Sequence, residues 1–367
     1  MTAEAQLWLI DHAPIMGGAE AFLLKIARHA GRRRDVRPVV LCPGASELAQ
    51  RCRAADVEVW PLAMPHFASA QAVGIPAAIA RMARLLRRAP PGTGLVGASA
   101  WSQALLAACA PWLPGRRIVH LLAEQDTAAR ASARLVLRRF GAPVTIGHNA
   151  ARTYAVALAR DDVVAVNNVL GEDELAAAAT APRRTASGAG AAAGSPVVGV
   201  LARLIPDKGV LELVDELAAC AGAWGQARLA GPAQDPGYAG RIKRAIAGHG
   251  LGDRIRLCGR VDSVTGFLDG LDALVVPSTG TEGQPTVVLE ALARGVDVIV
   301  RDAVFSDDYR GLPVTAYRDP PQLRAALAAL PAVPAPLEEI ARRFGPGQAL
   351  DGLLAAVCSP AALCRRD

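Results

Sequence analysis

Apolar residues recur along this chain in two rhythms. Short unbroken runs, such as Leu7-Trp8-Leu9-Ile10 and Ala273-Leu274-Val275-Val276, predict strands buried on both faces, the kind found in parallel sheets. Between them lie stretches in which apolar residues return every three or four positions. In 75–88, Ile75, Ile79, Met82 and Leu86 share one face while Arg81, Arg84, Arg87 and Arg88 fall largely off it, the pattern of an amphipathic helix. A first series predicts strands over 7–10, 36–42, 57–60, 95–98, 118–122, 144–147 and 163–166. Its helices cover 21–30, 47–55, 75–88, 103–110 and 128–139, with another from 150 onward. A second series predicts strands over 196–201, 227–230, 254–258, 273–277 and 296–300. Its helices begin with the one carrying Leu211, Leu213, Val214 and Leu217 and continue over 240–249, 264–270, 286–294, 337–344 and 348–357. Strands and helices alternating at this pace specify parallel α/β sheets.

The two series are separated by 176–195, where Ala, Gly, Ser and Thr dominate, a linker composition. The expected organisation is a first Rossmann-like domain over 1–180, a linker over 181–195, a second Rossmann-like domain over 196–335 and terminal helices over 336–367. A chain of 367 residues is long enough for two domains with separate cores. Its 52% hydrophobic content excludes a disordered chain, and a net charge of +6 does not demand a nucleic-acid partner. Seven cysteines with no C-x-x-C pair argue for reduced thiols in a cytoplasmic setting and against a zinc site or disulfide frame.

Glu4 and Asp11 flank the first apolar run and no basic region leads it, so no signal peptide is expected. The uncharged stretch 94–115 is interrupted by Ser99, Ser102, Gln103, Pro111 and Pro114, and no membrane-spanning helix is expected there. The arginine-bearing helix at 75–88 leaves two readings: a solvated outer face, or a surface that rests on an anionic membrane.

Three loops carry candidate chemistry. Gly17-Gly18 follows a strand and opens a helix, where bare backbone N–H groups and the helix dipole favour an anion; a tight turn that merely needs glycine is the plainer account. Ala202-Arg203-Leu204-Ile205-Pro206-Asp207-Lys208-Gly209 leaves the first strand of the second series, and its guanidinium and ammonium suit phosphate oxygens. Glu282-Gly283-Gln284-Pro285-Thr286 joins a strand to a helix carrying Glu290, at the carboxyl end of a strand where open α/β sheets bind ligands. Pro285 suits the start of that helix. Gly92-Thr93-Gly94-Leu95-Val96-Gly97 matches G-x-G-x-x-G but runs into a strand instead of leaving one, so it is set aside.

The Glu282 to Glu290 spacing resembles the E-x7-E signature of retaining glycosyltransferases of glycosyltransferase family 4, also described as glycosyl transferases group 1. The 202–209 loop resembles that family's G-R-L-x-x-x-K-G, with Ala202 in place of glycine, and Gly17-Gly18 resembles its first loop. The resemblance implies the GT-B fold, two Rossmann-like domains facing a central cleft, with a C-terminal helix crossing back to the first domain. It implies sugar transfer from a nucleoside-diphosphate sugar to a carbohydrate or lipid-linked acceptor, in polysaccharide, lipopolysaccharide or glycolipid synthesis. Glu282, Arg203 and Lys208 would be the catalytic set. Gly17, Gly18, Arg203, Lys208, Glu282, Gly283, Gln284, Pro285, Thr286 and Glu290 would hold the donor. Glu290 would take the ribose. No cofactor or metal is implied, and no D-x-D occurs; Asp161-Asp162 and Asp307-Asp308 lack that spacing.

The departures lie in the first series. Ala123 stands where the family often has a histidine, with His120 three residues earlier and Glu124 beside it; Asp11 and His12 are further candidates for acceptor contacts. Asn167-Asn168-Val169-Leu170 replaces the family's Asn-Gly-Val-Asp. A relative acting on a nucleotide-sugar without an acceptor, as epimerase or hydrolase, and a non-catalytic nucleotide-sugar-binding protein are the alternative readings.

Overall fold

The computed structural model describes residues 5–13, 16–62, 75–122, 141–181, 195–280, 282–330 and 334–362. The expected helix at 128–139, Ala123, Glu124 and most of the expected linker lie outside them. The chain forms two compact units, one of 1–172 with 344–367, the other of 173–343.

The first unit is built on β1 (Ala5–Ile10), β2 (Val36–Cys42), β3 (Glu58–Pro61), β4 (Gly94–Gly97), β5 (Arg117–Leu122), β6 (Ala142–Ile146) and β7 (Val164–Val166). They form one sheet in the order β3-β2-β1-β4-β5-β6-β7, every pair parallel. The helices are α1 (Gly18–Arg32), α2 (Glu47–Ala54), α3 (Ile75–Leu86), α4 (Ala100–Cys109) and α5 (His148–Leu158). Leu7 and Leu9 look toward a core with Phe22, Ile26 and Leu350, while Trp8 and Ile10 look toward one with Met82, Leu86 and Leu106. This two-sided burial is why the strand reads as a continuous apolar run.

The second unit holds β8 (Val197–Leu201), β9 (Gln226–Ala230), β10 (Ile255–Gly259), β11 (Ala273–Val276), β12 (Asp297–Arg301) and β13 (Val314–Tyr317). Their order is β10-β9-β8-β11-β12-β13, again all parallel. After α6 (Glu172–Thr180), which spans the division, its helices are α7 (Val210–Ala219), α8 (Pro236–Gly248), α9 (Val264–Asp269), α10 (Thr286–Ala293), α11 (Pro320–Ala328) and α12 (Leu337–Phe344). The last helix, α13 (Pro346–Cys358), buries Ala349, Leu350, Leu353, Ala356 and Val357 in the core of the first unit, one helical stripe.

Three elements escape the hydrophobic pattern. β13 is a short, half-exposed edge strand, Val-Thr-Ala-Tyr. α11 opens on Pro320-Pro321 behind an Asp319 cap that accepts from the Gln322 N–H at 2.9 Å. The alanines of α6 fall partly within the stretch whose composition suggests a linker; alanine is also the strongest helix former, and composition alone does not separate the two.

Candidate functional site

In both sheets the chain lays three strands in one direction and then returns to the other side of the first. The reversals fall between β1 and β4 and between β8 and β11. Loops leaving such neighbouring strands diverge and leave a crevice at their carboxyl ends.

In the second unit the two loops at that point are tied together. The Asp207 carbonyl accepts from the N–H groups of Thr279 and Gly280 at 3.0 and 3.1 Å. Gly209 adopts φ +63°, and a Cβ there would lie 2.0 Å from the Pro277 carbonyl oxygen, so only glycine fits this crossing. A similar approach holds the next loop: Gly231 has φ +139°, and a Cβ would lie 1.8 Å from the Ala202 carbonyl oxygen. The main chain after β8 is thereby fixed on both flanks.

Fixing the loops brings Lys208 to Glu282. The Lys208 Nζ donates to Glu282 Oε1, with the two side chains 21% and 17% exposed. Ser278 Oγ donates to the same oxygen at 2.8 Å. Pro285 caps α10 with its chain still extended, so the first N–H groups of that helix point out at its amino end, where they favour negative charge. Gln284 is buried and Glu290 half-buried, and Gln284, Thr286 and Glu290 are all engaged in interactions within the protein. Arg203 is exposed, and its Nη1 donates to Gln234 Oε1 at 3.3 Å, in the loop after β9. The structure therefore joins Lys208 to Glu282 directly and sets Arg203 against a neighbouring loop of the same unit.

Two residues of this region carry no motif. Ser278 is 2% exposed and follows β11 by two positions. Tyr309 is buried with its hydroxyl unpartnered; burial above all, then the carboxylates of Asp308 and Glu282, push its pKa up, so it remains an O–H donor. Nothing in apolar periodicity marks either residue.

In the first unit, His12 follows β1 and its Nδ1 is 2.8 Å from Ser99 Oγ, just after β4. Ser99 caps α4 and is 3.0 Å from Ser102 Oγ. Trp101 meets the His12 ring edge-on. Asp11 is fully buried, with Oδ2 accepting from the Ala13 N–H at 2.8 Å. The Gly17 N–H donates to Glu20 Oε2 at 2.7 Å, so the protein's own carboxylate already answers one donor at the start of α1; a Cβ on Gly18 would meet nothing within 4 Å. His120 lies inside β5, fully buried, with its ring against Gly141 at the amino end of β6. It does not stand in for a histidine at the strand's carboxyl end.

Residues 195–332 match the family model described as Glycosyl transferases group 1. No curated protein matches the chain in sequence. Among solved structures, Anabaena HepE in complex with UDP and glucose superposes with a TM-score of 0.71 at 16% identity, over 96% of this chain and 99% of that one. The apo lipopolysaccharide outer core galactosyltransferase WaaB gives 0.71 at 14% identity, over 96% and 99%. A glycosyltransferase from Rickettsia africae ESF-5 gives 0.68 at 13%, over 96% and 93%. Two parallel-sheet α/β units of this kind are the GT-B architecture.

Proposed function

We propose that this protein is a retaining glycosyltransferase of family 4 that takes its sugar from a nucleoside-diphosphate donor bound by the second unit. The observation that carries this reading is the Lys208, Glu282 and Ser278 cluster at the β8/β11 reversal, inside the segment matched by the group 1 family model. Sugar transfer passes through an oxocarbenium-like state while negative charge grows on the departing diphosphate. Lys208, Arg203 and the amino end of α10 offer that charge fixed donors, so the chemistry is assigned without a metal. Glu282 takes hydroxyls of the donor sugar, and Glu290 the ribose. HepE, solved with UDP-glucose, and WaaB, a lipopolysaccharide outer core galactosyltransferase, favour a nucleotide-sugar ligand and a role in envelope polysaccharide, lipopolysaccharide or glycolipid synthesis.

The test is a thermal-shift panel of UDP, GDP, ADP and their sugars. Ligand at a hundred times its dissociation constant stabilises the folded state by about 2.7 kcal/mol, which reads as a melting-temperature rise of several degrees. No rise with any member would sink the donor reading.

The acceptor is assigned to the first unit, with His12 and Ser99 as its polar candidates, and the protein to the cytoplasmic face of the membrane. No helix among the described residues is long and apolar enough to cross a bilayer. Arg81, Arg84, Arg87 and Arg88 are exposed on and just after α3. Beside them, Trp112 is 49% exposed and helps Pro76, Ile79, Ala80 and Ala83 line a cavity of about 510 Å³. Arginines near an anionic leaflet contribute about 1 kcal/mol each. The protein should therefore sediment with phosphatidylglycerol vesicles at low salt and not with phosphatidylcholine ones, and Arg84→Glu with Arg88→Glu should release it. Equal recovery with both lipids would remove the membrane contact from the reading.

A further inference from the structure

Among the described residues, the Glu282 carboxylate is held at one oxygen. Lys208 Nζ and Ser278 Oγ both donate to Oε1, and among the described residues no hydrogen bond reaches Oε2. The two donors differ in kind. Lys208 is a point charge on a flexible four-carbon stem with three donors, and it leaves a tight turn, Pro206–Lys208, closed by Gly209. Ser278 has one rotatable bond before its hydroxyl, is 2% exposed, and sits where the chain leaves β11, pinned through Pro277 and Thr279 to the neighbouring loop. A diphosphate presents more negative charge than one carboxylate and competes for the ammonium. As Lys208 turns toward it, Glu282 would lose its charged partner and, half-buried, swing through its own rotamers.

Building on the donor reading, we propose that Ser278 is the positioning residue that keeps Glu282 in place through this exchange, fixing Oε1 so that Oε2 faces the hydroxyls of the donor sugar. Lys208 answers the diphosphate and Ser278 maintains the sugar contact. The assignment separates two quantities that a general packing role would move together: affinity for the nucleotide and the added affinity brought by the sugar. Hydrogen bonds to charged groups of this type correspond to about tenfold to a hundredfold in a binding constant.

Isothermal titration of UDP against UDP-glucose, with GDP against GDP-mannose where the uridine pair does not bind, reads both quantities in wild type, Ser278→Ala and Ser278→Thr. Ser278→Ala should hold the free nucleotide within about twofold of wild type and weaken the nucleotide-sugar about tenfold or more. Ser278→Thr, which keeps the hydroxyl, should recover most of that loss. Equal weakening of nucleotide and nucleotide-sugar, or weakening of neither, would overturn the positioning role while leaving the donor reading intact. Failure of Ser278→Thr to recover the sugar's contribution would overturn it as well. Wild-type protein that binds no member of either pair, nor ADP or ADP-glucose, overturns the donor reading and the role of Ser278 together.

Discussion

Replacing Lys208 by alanine is expected to slow sugar transfer about 10²–10³-fold, the usual cost of removing one fixed donor from a charge that develops in the transition state. Two effects combine in that loss. On the proposed function the ammonium no longer meets the leaving diphosphate, and Glu282, 17% exposed, loses its charged partner and keeps Ser278. Glu282→Gln retains the shape and removes the charge, and should fall by a comparable factor. Because the two side chains touch, the double variant should lose far less than the product of the single losses, as expected for residues acting as a unit. Initial rates with the donor chosen by the thermal-shift panel, and melting curves to confirm folding, make the measurement. Undiminished transfer by Lys208→Ala would exclude the cluster from the reaction.

The cluster shows which links of the argument a sequence carries. Lys208 and Glu282 are 74 positions apart, yet each follows an apolar run that reads as a parallel strand. The rule that ligands gather at the carboxyl ends of such strands was enough to place them near one another. The two α/β sheets were legible for the same reason: strands buried on both faces write themselves as unbroken apolar runs. What remained hidden depends on side-chain bonding. Ser278 looks like any small polar residue after a strand; its meaning comes from the 2.8 Å contact to a carboxylate four positions on. Arg203 reads as a phosphate ligand, but whether its head turns to Gln234 is decided by how the β8 and β9 loops pack.

The first unit gives the converse lesson. Gly17-Gly18 marks a helix start correctly, since α1 begins at Gly18. Occupation of the Gly17 N–H by Glu20 is a local capping choice that a glycine pair does not announce. His12 and Ser99 are 87 residues apart and share no motif; only the β1/β4 neighbourhood brings them together. Residue-type patterns therefore singled out the Lys208 and Glu282 loops, where the family-like spacing is dense, and left the pairing of His12 with Ser99 to the structure.

Arg301→Ala is expected to destabilise the second unit by about 3–5 kcal/mol, although the residue belongs to no motif. Arg301 ends β12 and donates from Nη2 to Glu216 Oε1 at 2.6 Å and from Nε to the Pro277 carbonyl at 3.1 Å. Its guanidinium carbon lies 5.1 Å from the centre of the Tyr317 ring, and Tyr317 donates to the other Glu216 oxygen at 3.1 Å. Arg301 and Glu216 are only 16% and 13% exposed, so deleting one partner strands a charge that water reaches poorly. The Pro277 carbonyl is also the group that Gly209 closes upon, so the loss should loosen the Lys208 and Glu282 loops as well as the core. Calorimetry should show the transition of the second unit lowered by roughly 10 °C. Converting both Arg301 and Glu216 to methionine should be far milder, because an apolar pair leaves no orphaned charge. The coupling between the two sites, measured in a double-mutant cycle, should then be large and favourable. Additive losses in that cycle would mean that the pair acts only through packing, and that the floor beneath Pro277 is held by something other than this network.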